Sequence, residues 1–262
     1  MRNTTTQGPL RQRRHTMFII IMILLISSCL IIARISFHHY YFVRPCVQKD
    51  TTPSATTIVA QTYKSSSEDI ACLVEQSNRY NCQLLLLEKG GCEYETPPGV
   101  TTLHIPNTGR DLGAFLWHVV TFYDSLDGRY IYTSANLSKH RRRQRLSYLL
   151  QHPQYSFHAP SCHHRGYMER QRSSSHNFTL STYLGANLIP SSVRPYSKWF
   201  KQYIGTYDET LPLAYNGIFT TTAANLQKKY ISFYRELLTQ TELGCDTEVI
   251  HFIERAAPLI FG

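Results

Sequence analysis

Two patterns of apolar positions alternate along residues 57–133. Residues 57–63, 83–87 and 129–133 are short apolar runs, which predict strands. After the first run, residues 68–79 repeat apolar side chains every three or four positions, which predicts a helix. Strands that alternate with helices in this way indicate an open α/β sheet with right-handed crossovers.

The run at residues 83–87 indicates how the strands are arranged. Its sequence, Gln-Leu-Leu-Leu-Leu, is apolar on both faces of a strand. Both faces must therefore be covered, which favours a mostly parallel sheet layered by helices. Ligands of such sheets bind beyond the carboxyl ends of the strands, so we expect a site among residues 64–68, 106–111 and 134–140.

A strand at residues 101–105 leads through a turn into a helix whose apolar repeat begins at Leu112. Thr108 is the expected N-cap, with Asp111 three residues later as in a capping box. Gly109 permits a backbone conformation that a side chain would oppose. The turn is therefore interpreted first as a structural connection.

The same turn has a functional interpretation. The first N–H groups of a helix have no partner within the helix and carry a partial positive charge, so they can bind a phosphate or carboxylate. Arg110 would reinforce that charge. One Gly-Arg-Asp turn does not decide between the structural and the anion-binding interpretation.

The length of 262 residues is typical of one domain with additional segments. The formal net charge of +9 indicates a surface that can bind anionic ligands. The densest cationic segment of the chain, residues 139–145, is interpreted either as a solvated helix face or as an electropositive rim for a diphosphate or an acidic glycan. Aromatic residues do not alternate with these arginines as a base-stacking surface requires. Nucleic acid is therefore not an expected partner.

Residues 17–33 are an uninterrupted run of apolar and small side chains, which as a helix would span about 25 Å. Residues 1–16 carry arginines and no acid, so they are expected to stay cytoplasmic. We predict a type II membrane protein of the Golgi or ER, with a transmembrane signal-anchor, a stem at residues 34–56 and a lumenal domain at residues 57–262. A cleaved signal peptide and a lipoprotein box at residues 26–29 are the less favoured alternatives.

Cysteine usage agrees with a lumenal domain. Six cysteines follow the apolar run, namely Cys46, Cys72, Cys82, Cys92, Cys162 and Cys245. Disulfides are expected in an oxidising compartment, although the spacing does not indicate the pairs. Cys-x-x-Cys and Cys-x-x-His pairs are absent from the sequence, so no zinc site is expected. Asn136 and Asn177 begin glycosylation triplets.

The last third of the chain contains a strong turn pair and two predicted helices. Asn216 and Gly217 form the turn pair. Residues 225–238 carry apolar and aromatic side chains at helical spacing, which predicts a helix packed in the core.

The final helix is expected to begin at Asp246, as N-cap, and to stop at Pro258. Glu248, His251 and Glu254 follow each other at intervals of three along it. They are interpreted either as an exposed ion-pair ladder or as a site in which one carboxylate, oriented by its neighbours, serves as a general base.

Residues 57–262 resemble the DUF3431 family of uncharacterised, often membrane-anchored proteins. Three motifs carry the resemblance: Val-Ala-Gln-Thr-Tyr-Lys at residues 59–64, Pro-Asn-Thr-Gly-Arg-Asp at residues 106–111, and the ending from Ile-Glu-Arg at residues 253–255 to Pro-Leu-Ile-Phe-Gly at residues 258–262. That family is distantly similar to GT-A glycosyltransferases. The resemblance implies a GT-A or Rossmann-like fold and transfer of a sugar from a nucleotide-sugar to a glycan or protein acceptor.

The resemblance also implies roles for individual residues. Glu248 or Glu254 would deprotonate the acceptor hydroxyl, and His251 is the third residue assigned to the catalytic group. The group that binds the donor diphosphate would be Asn107, Gly109, Arg110, Asp111, His140 and Arg141. The acceptor side would be Asn216, Gly217 and Phe219.

One departure from GT-A enzymes concerns the metal. Most of them place an Asp-x-Asp after the fourth strand to hold Mn²⁺ or Mg²⁺, whereas residues 133–136 here are Thr-Ser-Ala-Asn. No metal-binding residue and no cofactor is therefore predicted, with a divalent metal left open. A non-catalytic lumenal module that binds glycans or proteins is the alternative to an enzyme.

Overall fold

The computed structural model describes residues 48–49, 55–91, 94–160 and 174–262, which all belong to one unit within residues 44–262. The predicted signal-anchor at residues 17–33 lies outside the described residues. Within the described ranges, none of the helices has both the length and the apolar character needed to cross a bilayer.

Nine strands and seven α-helices make up the described part of the chain. The strands are β1 (Gln48–Lys49), β2 (Thr56–Thr62), β3 (Gln83–Glu88), β4 (Thr101–His104), β5 (Arg129–Ser134), β6 (Tyr155–Phe157), β7 (Thr182–Tyr183), β8 (Ala186–Asn187) and β9 (Phe219–Thr222). The helices are α1 (Ser67–Arg79), α2 (Arg110–Phe122), α3 (Arg142–Gln151), α4 (Tyr196–Tyr203), α5 (Ala223–Leu226), α6 (Ile231–Thr241) and α7 (Glu248–Ile260). Short 3₁₀ turns lie at Tyr123–Ser125 and Lys139–Arg141.

A five-stranded sheet in the order β4-β3-β2-β5-β9 forms the centre of the molecule. Its first four strands are parallel, and in their register Val59 pairs with both Leu85 and Tyr132. Strand β9 joins the β5 edge in the antiparallel direction. The predicted α/β class with a mostly parallel sheet is confirmed, whereas β9 was not predicted as a strand.

Helices cover both faces of this sheet. Leu86 belongs to the core on one face, with α1 and α3, and Leu87 belongs to the core on the other face, with α2, α4, α6 and α7. Because consecutive strand residues point to opposite faces, β3 must be apolar at every position between two helical layers. This explains the leucine run from which the parallel sheet was predicted.

The first turn of α2 differs from its prediction. Gly109, with φ +64°, occupies the N-cap position, and the helix has no side-chain cap, so the prediction of Thr108 as N-cap was wrong. A Cβ at Gly109 would lie 2.7 Å from the Thr241 side chain and 2.8 Å from the Cα of Gly113. The glycine therefore permits both a left-handed turn and close contact between α2 and α6.

Residues 225–238 do not form one helix. The chain leaves α5 after Leu226 and begins α6 at Ile231. Tyr234 of α6 donates its hydroxyl to the carbonyls of Leu226, at 2.9 Å, and Ile260, at 3.1 Å. The apolar spacing continued across the break because both segments pack on the same core.

The predicted ends of the last helix were also wrong. Thr247 occupies the N-cap position of α7, and Asp246 forms an ion pair with Arg110 instead. Pro258 lies inside α7, which continues to Ile260. The missing N–H of this proline falls in the last turns, where the helix still closes with a 2.9 Å bond from Phe261 N to the Ala257 carbonyl.

The described cysteines are not cross-linked. Cys72, Cys82 and Cys245 are free thiols, so the expected disulfides do not involve them. Cys46, Cys92 and Cys162 lie outside the described residues.

Besides His251 of α7, two histidines of the described residues are buried, His118 and His158. The Nδ1 atom of His118 lies 2.9 Å from the Tyr132 hydroxyl, whereas both ring nitrogens of His158 are buried without a hydrogen-bond partner among the described residues. The His158 ring packs beside Tyr148 and Tyr155, with centroid distances of 5.6 and 4.9 Å. Burial lowers the pKa of each histidine to about 4.

We expect these histidines to make the fold sensitive to acid. The unfolded chain binds more protons than the native state between the ordinary histidine pKa of about 6.5 and the native value of about 4, so the free energy of unfolding falls as the pH drops through this window. Urea unfolding at pH 7 and pH 5 should show a loss of roughly 2 kcal/mol for each buried histidine.

The variant His158→Phe keeps the ring and removes the titrating group without breaking a side-chain hydrogen bond. It should lose less stability between pH 7 and pH 5 than the wild type. His104→Gln, at an exposed side chain, is the control and should behave as the wild type does. An equal loss in His158→Phe and the wild type would contradict the prediction.

Candidate functional site

Polar and charged residues from five segments meet beyond the carboxyl ends of the parallel strands. We call them the carboxyl-edge cluster. Its members are Lys89, Arg110, Asp111, Arg142, Asn216 and Glu254. Of the three regions in which a site was expected, residues 106–111 supply Arg110 and Asp111 to this cluster, whereas residues 64–68 and 134–140 supply none of its members. Two members, Lys89 and Arg142, were not among the predicted site residues.

Arg142 connects three of these segments. Its Nη2 donates to Asp111 Oδ2 at 3.2 Å, its Nη1 donates to the Asn136 carbonyl at 3.3 Å, and its Nε donates to the Asn216 carbonyl at 3.4 Å. The guanidinium is mostly buried. Its planar set of donors suits this arrangement, which a lysine could not reproduce.

The neighbouring residues in the basic segment are placed differently. Arg141 is exposed, with φ +54°, just before α3. His140 lies in the preceding 3₁₀ turn, and its side chain lies outside what the structure describes. Arg143 is exposed and donates its Nε to the Cys72 sulfur at 2.9 Å. Of the two interpretations of residues 139–145, the solvated face applies to Arg141 and Arg143, whereas Arg142 points into the cluster.

Lys89 holds the turn that precedes α2. It follows β3 directly, is 5% exposed, and donates its Nζ to the carbonyls of Thr108 and Arg110. Burial lowers the pKa of this amine to about 8, while the negative charge of Asp111 acts in the opposite direction. A lysine two residues after the leucine run of β3 was the available sequence signal, because that position places it at the carboxyl edge of the sheet.

Arg110 is neutralised by a residue of the last loop. Its Nε donates to Asp246 Oδ1 at 2.9 Å, and its guanidinium carbon lies 4.7 Å from the ring centroid of Tyr183. The ring of His251 also packs against this tyrosine, with 4.7 Å between ring centroids. Arg110 and α7 therefore lie on the same side of the molecule.

His251 is buried, with 7% exposure, and its Nε2 has no hydrogen-bond partner among the described residues. Burial, followed by the positive charges of Arg255 and Arg110, lowers its pKa to about 4, and Asp246 opposes the shift. The imidazole is therefore neutral at physiological pH.

Glu254 is the carboxylate of α7 that belongs to the cluster. Its Oε1 accepts a 2.6 Å bond from the backbone N–H of Asn216, and the residue is partly exposed. Burial raises the pKa of this carboxyl above the usual glutamate value, and the charge of Asp111 adds to the shift. Arg255, the Asn216 bond and Arg142 act in the opposite direction. Such a group is a stronger base than a glutamate with the usual pKa.

Glu248 has a different environment. It is 0% exposed, and its carboxylate accepts bonds from the backbone N–H groups of Leu180, at 2.7 Å, and Ser191, at 2.9 Å. It also forms an ion pair with the Nε of Arg194 at 2.9 Å. The exposed ion-pair ladder predicted for α7 is therefore wrong, because Glu248 and His251 are both buried. These contacts give Glu248 a structural role.

The predicted acceptor segment is divided between surface and core. Asn216 and Gly217 both have positive φ, +74° and +54°, and form a turn next to the Asp111 side chain. A Cβ on Gly217 would lie 3.3 Å from Asp111 Oδ2, so this position keeps the turn close to the carboxylate. Phe219 is 1% exposed and stacks on Phe261 with 4.8 Å between centroids, which places it in the core.

The remaining predicted donor residue, Asn107, lies in the exposed turn before α2. Its backbone carbonyl accepts a 2.7 Å hydrogen bond from the thiol of Cys245. Together with the ion pair between Arg110 and Asp246, this bond joins the turn before α2 to the loop before α7.

No protein-family model matches the chain, and no curated protein matches it significantly in sequence. Within the described ranges, no group of three or more His, Cys, Asp or Glu side chains is arranged to hold a metal ion. Function is therefore argued from the chemistry of the carboxyl-edge cluster.

The two glutamates of α7 should respond differently to amidation. Glu248→Gln places an amide among three donors, so we expect it to lower the free energy of unfolding by about 3 kcal/mol. Glu254→Gln keeps an acceptor for Asn216 and removes a charge that burial disfavours, so its effect should stay below about 1 kcal/mol. Urea unfolding at pH 7 measures both, and equal effects would contradict these assignments.

Proposed function

We propose that the domain is a glycosyltransferase-like enzyme that transfers a sugar from a nucleotide-sugar to a hydroxyl of a glycan or protein acceptor. The observation that carries the proposal is Glu254, a half-buried glutamate whose pKa burial raises and which lies beside Asp111 and Arg142 beyond the parallel strands. The resemblance to the DUF3431 family and to GT-A enzymes gives the reaction class. In this proposal residues 17–33 anchor the domain in the Golgi or ER membrane, facing the lumen.

Glu254 acts as the general base in the proposed reaction. Its carboxylate takes the proton of the acceptor hydroxyl, the acceptor oxygen forms a bond to the anomeric carbon, and the bond from that carbon to the diphosphate breaks. The nucleoside diphosphate leaves with the bonding electron pair, and Glu254 later returns its proton to solvent. A raised pKa makes the carboxylate a stronger base than an ordinary glutamate.

The leaving diphosphate would meet positive groups supplied by the chain. The guanidinium of Arg142 and the first N–H groups of α2 lie at the carboxyl edge, and Lys89 fixes the turn that orients those N–H groups. These groups stand in place of the metal that most GT-A enzymes hold with Asp-x-Asp. Arg110 and Arg142 would bind the diphosphate only after exchanging Asp246 and Asp111, respectively, for the ligand, because each arginine is paired with that carboxylate.

A second candidate function is a non-catalytic lumenal module that binds glycans or proteins. Two observations favour it. Residues 133–136 carry no acid where an Asp-x-Asp would lie, and the charge of Arg110 is already neutralised by Asp246.

Binding and turnover distinguish the two candidates. The purified full-length chain should be heated with UDP-, GDP-, CMP- and dTDP-sugars, with and without Mn²⁺, and a bound donor should raise the melting temperature by mass action. Glu254→Gln should retain this shift and lose at least about 100-fold in turnover, as expected for loss of a general base. Glu209→Gln, at an exposed glutamate, is the matched control and should keep full activity.

The pH profile tests the same assignment. A base must be ionised, so kcat/KM of the wild type should fall as the pH drops through the raised pKa of Glu254, at a higher pH than an ordinary glutamate would give. Full turnover in Glu254→Gln would eliminate the proposed base. No shift with any donor would favour the binding module.

A further inference from the structure

A pocket lies at the opposite end of the sheet from the carboxyl-edge cluster. We call it the amino-edge pocket; it is open and has a volume of about 310 Å³. Its lining residues that matter here are Asp127, Arg129, Tyr155, Ala224 and Gln227. Arg129 and Ser134 are the two ends of β5, so the two regions are separated by about 16 Å at 3.3 Å per residue.

Arg129 is a buried cation that lines this pocket. It is 2% exposed, and its side-chain Nη2 donates to the carbonyls of Leu149 at 2.8 Å and His152 at 3.5 Å. Its Nε is buried without a hydrogen-bond partner among the described residues. The two bonds hold the end of α3, but they leave donors of the guanidinium unused.

The charge of Arg129 also lacks an anionic partner. None of the ion pairs within the described ranges includes it. Burial lowers the pKa of Arg129 to about 10, and the Cys82 thiol acts in the opposite direction. A buried guanidinium without a carboxylate is costly unless another anion completes its surroundings.

We propose that the amino-edge pocket is a second ligand site, which binds the oxyanion of a small phosphorylated molecule through Arg129. A guanidinium presents its donors in a fork that matches phosphate oxygens. The volume is at the lower end of that of small-molecule sites and exceeds what a bare phosphate ion needs. Exposed Asp127 and Gln227 offer polar groups to the remainder of such a ligand.

Inorganic phosphate and glycerol 3-phosphate are the probes. The melting temperature of the full-length chain should rise saturably with either, by about 3 °C at ten times the dissociation constant, with chloride at matched ionic strength as the reference. Glycerol 3-phosphate should bind more tightly than phosphate, because the pocket has room for the glycerol. Phosphate also stabilises folded proteins through a non-specific effect that does not saturate, so variants are needed.

Ala224→Glu places a carboxylate in the pocket at an exposed position, so it should abolish the saturable rise and leave the melting temperature in chloride nearly unchanged. Ser232→Glu adds the same charge at an exposed position outside the lining and should respond as the wild type does. Asp127→Asn removes a neighbouring negative charge and should lower the phosphate dissociation constant two- to three-fold.

The second site would be overturned if neither probe raised the melting temperature of the wild type, or if the rise were equal in Ala224→Glu and Ser232→Glu. Equal affinity for phosphate and glycerol 3-phosphate would overturn the assignment to a phosphorylated molecule. The proposed transferase function does not depend on either result, because Glu254 belongs to the other edge of the sheet.

Discussion

The guanidinium of Arg142 is the interaction on which the carboxyl edge of the sheet depends. It donates to the Asp111 carboxylate and to the carbonyls of Asn136 and Asn216, which belong to three segments far apart in sequence. A mostly buried guanidinium is stable only when its donors have acceptors, so the three segments and the arginine require one another. The Asn216 N–H then binds Glu254, which brings α7 into the same arrangement.

Helix α7 serves both the fold and the site. Six residues separate Glu248 from Glu254, a rotation of 600° at 100° per residue, so their side chains leave the helix about 120° apart. Glu248 therefore faces Leu180, Ser191 and Arg194, whereas Glu254 faces the Asn216 turn. A single helix therefore carries both a carboxylate with structural partners and a half-buried one that belongs to the carboxyl-edge cluster.

Much of the fold could be predicted because burial imposes a pattern on the sequence. The apolar runs of β2, β3 and β5 reflect helices on both faces of the sheet. Strand β9 was missed because Phe-Thr-Thr-Thr is largely polar, and its place depends on pairing with β5. The break before α6 was missed because the apolar spacing continues across it.

The site was predicted less completely, since its geometry depends on contacts between distant segments. The sequence shows three consecutive arginines at residues 141–143, and only the start and direction of α3 determine that the middle one turns inward. Lys89 could not be linked to the turn before α2 until the strand order placed them together. Glu254 was named, but the sequence could not separate its role from that of Glu248.

Hydrogen–deuterium exchange of the full-length variant Arg142→Lys tests the central claim most directly. Lysine keeps the positive charge but lacks the planar set of guanidinium donors. Amide exchange should therefore accelerate in both residues 134–138 and residues 214–218, while β3 remains protected. Arg143→Lys, at the exposed neighbour, should leave both segments unchanged. Unchanged exchange at both segments in Arg142→Lys would contradict the claim that this guanidinium holds the site together.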